Sequence, residues 1–167
     1  MKTTKVQFMT QAAMIAAIYV VLCLVFEPIS YGAIQTRIAE ALTVLPYFTP
    51  AAIPGLFVGC LIANLLGGGI MLDVICGSLA TLIGAVGTYA LRRRSKYLAS
   101  IPPIAANIVI VPWVLKLGYG EPLPIPFLMG TVGVGEILTA GIIGTFLLCV
   151  LSRYRNVLFG KGSYTAQ

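Results

Sequence analysis

A few polar side chains interrupt otherwise apolar stretches of this sequence, and they carry whatever chemistry the chain can do. They are Gln35, Arg37, Glu40, Asn64, Asp73, Asn107 and Glu136, with Trp113 as an aromatic face near them. Carboxylates and amides placed in apolar surroundings are costly unless they face a cavity or a partner, so the set points to a binding site for a small solute. Each residue also has a plainer role. Arg37 and Glu40 are three apart and can pair with each other on one helical face. Asp73 can cap a helix N-terminus in water. Trp113 can belong to an interfacial aromatic belt. Asn64 and Asn107 can hydrogen-bond between helices. Glu136 is the hardest to dismiss, because Gly133, Gly135, Thr139 and Gly141 around it offer no countercharge.

Catalytic patterns do not appear. The sequence has no histidine, the commonest general base. There is no G-x-x-x-x-G-K-[ST] phosphate loop; the stretch Gly160-Lys161-Gly162-Ser163 has the wrong order. Neither a G-x-S-x-G elbow nor a metal-ligand spacing occurs. Cys23, Cys60, Cys76 and Cys149 lie in apolar runs without CxxC spacing and read as small packing residues. We therefore expect no enzyme, no metal and no cofactor.

The elements that position these residues follow from composition. Hydrophobic residues make up 59% of the 167 and charged residues 10%, with a mean hydropathy of +0.98. A water-facing surface needs about 25% charged residues, so a bilayer must be the solvent. The apolar runs, such as 53–66 and 141–151, do not alternate as barrel strands do, so the spans are helices. The expected architecture is all-α, a single transmembrane domain over 1–167, with spans at about 6–26, 37–48, 51–67, 73–91, 98–117 and 127–151. The first run is longer than a signal-peptide core and no small-residue cleavage pattern follows it, so it reads as a retained span.

The second segment is short for a crossing. About 11 residues at 1.5 Å each give roughly 17 Å against a hydrocarbon core of about 30 Å. Charge decides in favour of crossing. With six crossings, Lys2, Lys5, Arg92, Arg93, Arg94, Lys96, Arg153, Arg155 and Lys161, nine of the eleven basic residues, fall on one side. That side is then cytoplasmic and holds both termini. The net charge of +6 is explained in this way, without nucleic acid. A short proline-bounded crossing must be sheltered by neighbours or line a cavity. In this topology Gln35, Arg37, Glu40, Asn64 and Asp73 gather at the outer end. Asn107 and Glu136 lie about 10 residues below it, at matching depths of roughly 15 Å.

Ala12, Ala13, Ala16 and Ala17 make two overlapping small-xxx-small pairs on the first span, suited to close helix contact inside the bundle or with another membrane subunit.

Three stretches resemble a known family. They are Tyr31-Gly-Ala-Ile-Gln-Thr-Arg37-Ile-Ala-Glu40-Ala-Leu-Thr-Val-Leu-Pro46, Gly59-Cys-Leu-Ile-Ala-Asn64, and Asp73-Val-Ile-Cys-Gly-Ser-Leu-Ala-Thr-Leu82. The first, longest motif is the specific one. Together they are similar to the QueT family, substrate-binding S components of energy-coupling factor (ECF) transporters, and the likeness runs over about residues 5–155. The resemblance implies a six-helix S component in the cell membrane that captures a queuosine precursor, a 7-deazaguanine base such as 7-aminomethyl-7-deazaguanine or queuine. It also implies a transmembrane T subunit and two ATPase subunits as partners, with the alanine face of the first span as the docking surface. On such a ligand, Glu136 or Glu40 can accept the paired N–H donors of a guanine edge. Asn107, Asn64 or Gln35 can donate to the ring carbonyl. Asp73 can face an aminomethyl group, and Trp113 or Tyr31 can stack on the base. The competing expectation is a self-sufficient ion-coupled small-solute carrier or channel in which Asp73 and Glu136 are proton sites.

Overall fold

The computed structural model describes residues 5–26 and 37–158. Its helices are α1 (Lys5–Val25), α2 (Ile38–Tyr47), α3 (Ala52–Leu66), α4 (Met71–Leu91), α5 (Ile101–Gly118), α6 (Ile125–Glu136) and α7 (Gly144–Leu158). Here α2 is wound as a 3₁₀ helix, a 3₁₀ turn at Lys96–Ser100 leads into α5, and a π-helical stretch at Ile137–Ile143 joins α6 to α7 without a break. No strand occurs among the described residues.

The chain is inside-out relative to a water-soluble protein. Large apolar side chains such as Met9, Met14, Ile18, Leu65, Ile75, Ile83, Val109, Phe127, Ile142 and Phe146 are exposed around the perimeter. Polar ones, among them Arg37, Glu40, Asn64, Asp73, Ser78, Thr81, Thr88, Asn107, Glu136 and Thr139, are buried. Only a hydrocarbon solvent makes that distribution favourable, and this is an all-α membrane protein. Lys5–Val25, Met71–Leu91, Lys96–Gly118 and Ile125–Tyr154 are long and apolar enough to cross a membrane, whereas Ile38–Tyr47 and Ala52–Leu66 are shorter. The bounds expected for the six apolar segments lie within a few residues of these helix ends.

From α3 onward neighbours in sequence are neighbours in space, whereas α1 reaches past α2 to α3. α1 packs on α3, α3 on α4, α4 on α5, and α5 on α6. Small residues set the close approaches. A Cβ added at Gly55 would lie 2.7 Å from the carbonyl oxygen of Ala12, and one at Gly59 would lie 3.1 Å from the Cα of Ala16. Ala12 and Ala16 thus face α3, while Ala13 and Ala17 are exposed. The four alanines therefore divide between an internal contact and an outward one. Gly68, at φ +69°, makes the turn from α3 to α4, a left-handed conformation that glycine adopts without steric cost.

α2 runs through the middle of the bundle and touches α1, α3, α4, α7 and the π stretch. Eight of its ten residues, Ala39 to Pro46, are buried, so the short segment is sheltered on all sides as its length requires. The 3₁₀ winding rises about 2.0 Å per residue, so ten residues reach roughly 20 Å where an α-helix would reach about 15 Å.

Candidate functional site

α4 presents a polar stripe. Asp73, Gly77 and Thr81 recur every four residues on the face it turns to α2, and all three are buried. Arg37 immediately precedes α2 in extended conformation, with φ −79° and ψ 100°. Its side chain leaves the 3₁₀ axis and its Nη2 reaches Oδ2 of Asp73 at 3.1 Å. The expected Arg37–Glu40 pair is thus replaced by Arg37–Asp73, because Arg37 lies outside the helix that would have aligned the two. Asp73 is the third residue of α4, not its cap, which is Ile70, and it is 1% exposed, so the water-facing cap is also corrected. The Tyr119 hydroxyl, just past the end of α5, donates to Asp73 Oδ2 at 3.2 Å. Burial first, and the neighbouring Asp73 carboxylate second, push the Tyr119 phenol above its ordinary value. Asn64 donates from Nδ2 to the Asp73 main-chain oxygen at 3.2 Å and so fastens α3 to the first turn of α4.

Glu40 lies one 3₁₀ turn beyond Arg37 and is 1% exposed. Its Oε1 accepts from the Tyr19 hydroxyl of α1 at 2.6 Å and from Thr81 of α4 at 3.4 Å. Its Oε2 has no partner among the described residues. Glu136, at the end of α6, is 4% exposed. Its Oε1 accepts from Asn107 Nδ2 of α5 at 2.8 Å, and its Oε2 also has no partner there. Asn107 and Glu136, expected at similar levels on their two helices, are directly bonded.

These groups meet at a cleft of about 290 Å³, open solvent included, lined by Arg37, Glu40, Gly77, Asn107, Val111, Val132 and Glu136. Its enclosed part holds about one water-sized sphere. Gly77 keeps this wall thin: a Cβ there would lie 3.1 Å from Asp73 Oδ1 and 3.2 Å from Asn64 Nδ2. The cleft therefore combines acceptor atoms with an amide donor and two valine walls.

Of the residues expected at the site, Arg37, Glu40, Asn107 and Glu136 line the cleft, while Asp73 and Asn64 brace it. Trp113 does not line it; its ring is 51% exposed on the outer surface. Gln35 and Tyr31 lie outside the described residues. Sequence reasoning missed Tyr19, Thr81 and Tyr119, the hydroxyls that hold Glu40 and Asp73. A helical-face reading would have found two of them. Tyr19 continues the buried stripe of Ile15 and Ala16, and Thr81 continues that of Asp73 and Gly77.

Comparison with known proteins completes the picture. The family model described as QueT transporter matches residues 9–153. A similar protein is the "Queuosine precursor transporter QueT" of Lactococcus lactis subsp. cremoris (strain MG1363), 38% identical over 85 residues. That stretch spans about half of each chain, 50% of this one and 50% of the relative. No solved structure matches.

Proposed function

The chain belongs to the QueT transporter family, and on that premise we propose that it is the substrate-binding membrane subunit of an ECF transporter for a queuosine precursor of the 7-deazaguanine class. The observation that carries this reading is the Asn107–Glu136 pair, with Glu40 in the same cleft. Glu136 has one oxygen unpartnered and the other bonded once, so it can still take two parallel N–H donors, the pattern offered by a guanine edge. Asn107, beside it, can donate its second amide proton to the ring carbonyl. Glu40 suits the guanine edge less well, because its Oε1 already accepts two hydroxyls. The name of the Lactococcus relative supports the substrate class.

In this reading the chain crosses six times, with α2 and α3 as the short crossings and both termini cytoplasmic. The Arg37–Asp73–Tyr119 cluster then stands at the outer mouth of the cleft. The sequence holds no nucleotide-binding loop, so energy comes from a separate T subunit and two ATPases. Ala13 and Ala17, the outward half of the alanine motif, form the docking face.

Calorimetry on the purified, detergent-solubilised protein tests the substrate class. Binding of 7-aminomethyl-7-deazaguanine or queuine with guanine rejected supports it; no binding to either base removes it. Reconstitution tests the mode of transport. The subunit alone in proteoliposomes should bind without accumulating the base, whereas accumulation driven by an ion gradient would make it a carrier.

A further inference from the structure

The charges around the cleft do not balance. Glu40 and Glu136 line it, Asp73 braces it, and among the described residues the one cationic side chain on its wall is Arg37, already 3.1 Å from Asp73. Lys116, the nearest lysine in sequence to this end of α5, directs its Nζ to the carbonyl oxygens of Glu121, Pro122 and Leu123 at 3.1–3.3 Å. The segment 27–36 contains neither lysine nor arginine, so it cannot supply a countercharge. Among the described residues, two deeply buried carboxylates, each with one unpartnered oxygen, therefore share a cleft with a single cation that has its own anion. Burying charge in that way is costly unless an incoming group compensates it.

A base that presents only a guanine edge compensates one of the two. Its paired N–H donors satisfy Glu136 and leave Glu40 Oε2 without a partner. That oxygen has room for one donor, because Oε1 is taken by Tyr19 and Thr81. The short Tyr19 bond and the longer Thr81 contact are both donated to Glu40 Oε1, so that oxygen is already engaged as an acceptor.

We propose that the cleft selects 7-deazaguanines carrying a protonated amine on the 7-substituent, and that Glu40 Oε2 is the atom that receives the ammonium. The inference rests on reading the cleft as a 7-deazaguanine site. It adds a charge requirement that excludes neutral members of that class.

Three bases with the same guanine edge separate charge from shape: 7-aminomethyl-7-deazaguanine, its neutral isostere 7-hydroxymethyl-7-deazaguanine, and 7-cyano-7-deazaguanine. Each is titrated calorimetrically into the detergent-solubilised full chain at one pH. The ammonium base should bind roughly 10- to 100-fold more tightly than either neutral base, the span expected of a hydrogen bond to a charged group. Glu40→Gln should bring the three affinities together, whereas Glu136→Gln should weaken all three alike. Equal affinities in the unmodified protein would overturn the charge requirement and leave the deazaguanine reading standing. A preference that survives Glu40→Gln would overturn the assignment to Glu40. If none of the three binds, both readings fall. The comparison of ligands on the unmodified protein decides the charge requirement even if a variant does not fold.

Discussion

The contact between α4 and α5 at Gly84 gives a quantitative test of how the bundle positions the site. A methyl group added there would sit 2.6 Å from the Cα of Pro103, 2.9 Å from its Cβ and 3.2 Å from its N. Carbon atoms pack best at about 3.5–4.0 Å. The obstructing atoms are backbone and a closed ring, which cannot rotate away, so Gly84→Ala must push α5 off α4 by ~1 Å. Asn107 lies one turn along α5 from Pro103 on the same buried face. If α6 does not follow, a displacement of that size along the bond takes the 2.8 Å contact with Glu136 beyond the ~3.5 Å at which a hydrogen bond is lost. Overpacking costs about 1–3 kcal/mol, and an interhelical hydrogen bond in a membrane about 0.6–1.7 kcal/mol. Together they give a loss of about 2–5 kcal/mol. At a few degrees per kcal/mol that is a fall of about 5–15 °C in apparent Tm, read by thermal unfolding in detergent. Ligand affinity should fall about tenfold through the Asn107–Glu136 pair. Gly130→Ala on α6 is the control. Nothing lies within 4 Å of its added Cβ, so it should be neutral or gain up to about 1 kcal/mol from helix propensity. If Gly84→Ala melts and binds like Gly130→Ala, the close contact does not set the position of α5, and the reasoning fails.

Other substitutions probe separate parts of the arrangement. Asp73→Asn leaves the buried Arg37 facing a neutral amide and should cost about 3–5 kcal/mol, seen as loss of monodisperse protein in size-exclusion chromatography; unchanged stability would mean that the pair is dispensable. Tyr19→Phe removes the 2.6 Å bond that ties α1 to Glu40 and should lower stability by about 1–2 kcal/mol in the thermal assay, or not at all if Thr81 alone suffices. Trp113→Leu should change ligand affinity less than about twofold by calorimetry, since the ring faces outward; a loss of tenfold or more would restore it as a stacking platform. Ala13→Leu with Ala17→Leu should keep binding and abolish uptake by the assembled transporter. Ala16→Leu should instead destabilise the subunit itself, because Ala16 lies against Gly59.

What could be read from the sequence, and what could not, follows from how each residue acts. The long helices announce themselves by apolar length, and Glu136 by the absence of any countercharge near it in sequence. The Asn107–Glu136 bond was approachable because two helices of known ends place residues at computable depths. Arg37 was misjudged because its pairing depends on where α2 starts. Spacing of three suits a pair inside a helix, and one residue outside the helix redirects the side chain to α4. Trp113 was ambiguous for another reason: an indole serves equally at a lipid surface or over a base, and only the rotation of α5 distinguishes the two. Tyr19 and Thr81 were overlooked because a hydroxyl in an apolar helix carries no charge to draw notice, although two of them hold the carboxylate at the centre of the cleft.

The two irregular helices explain why the site can exist inside an apolar bundle at all. Glu40 is carried by the 3₁₀ helix, and Glu136 immediately precedes the π stretch. The two segments pack against each other: the Cβ position of Gly144, where the π stretch ends, lies 3.1 Å from Val44 Cγ1 and 3.4 Å from the Ala41 carbonyl oxygen. A 3₁₀ helix is thinner than an α-helix and a π-helix is wider. Pairing a thin element with a wide one lets α2 fill the bundle centre while α6 remains close enough for Glu136 to reach Asn107. Regular α-winding of α2 would shorten it by about 5 Å and turn Glu40 away from Tyr19 and Thr81. The departures from ideal helix thus fall beside the two carboxylates, where an unpartnered oxygen is useful; the 3₁₀ helix is buried by its neighbours, while the π stretch turns Thr139 and Ala140 inward and Ile137, Leu138, Ile142 and Ile143 to the perimeter.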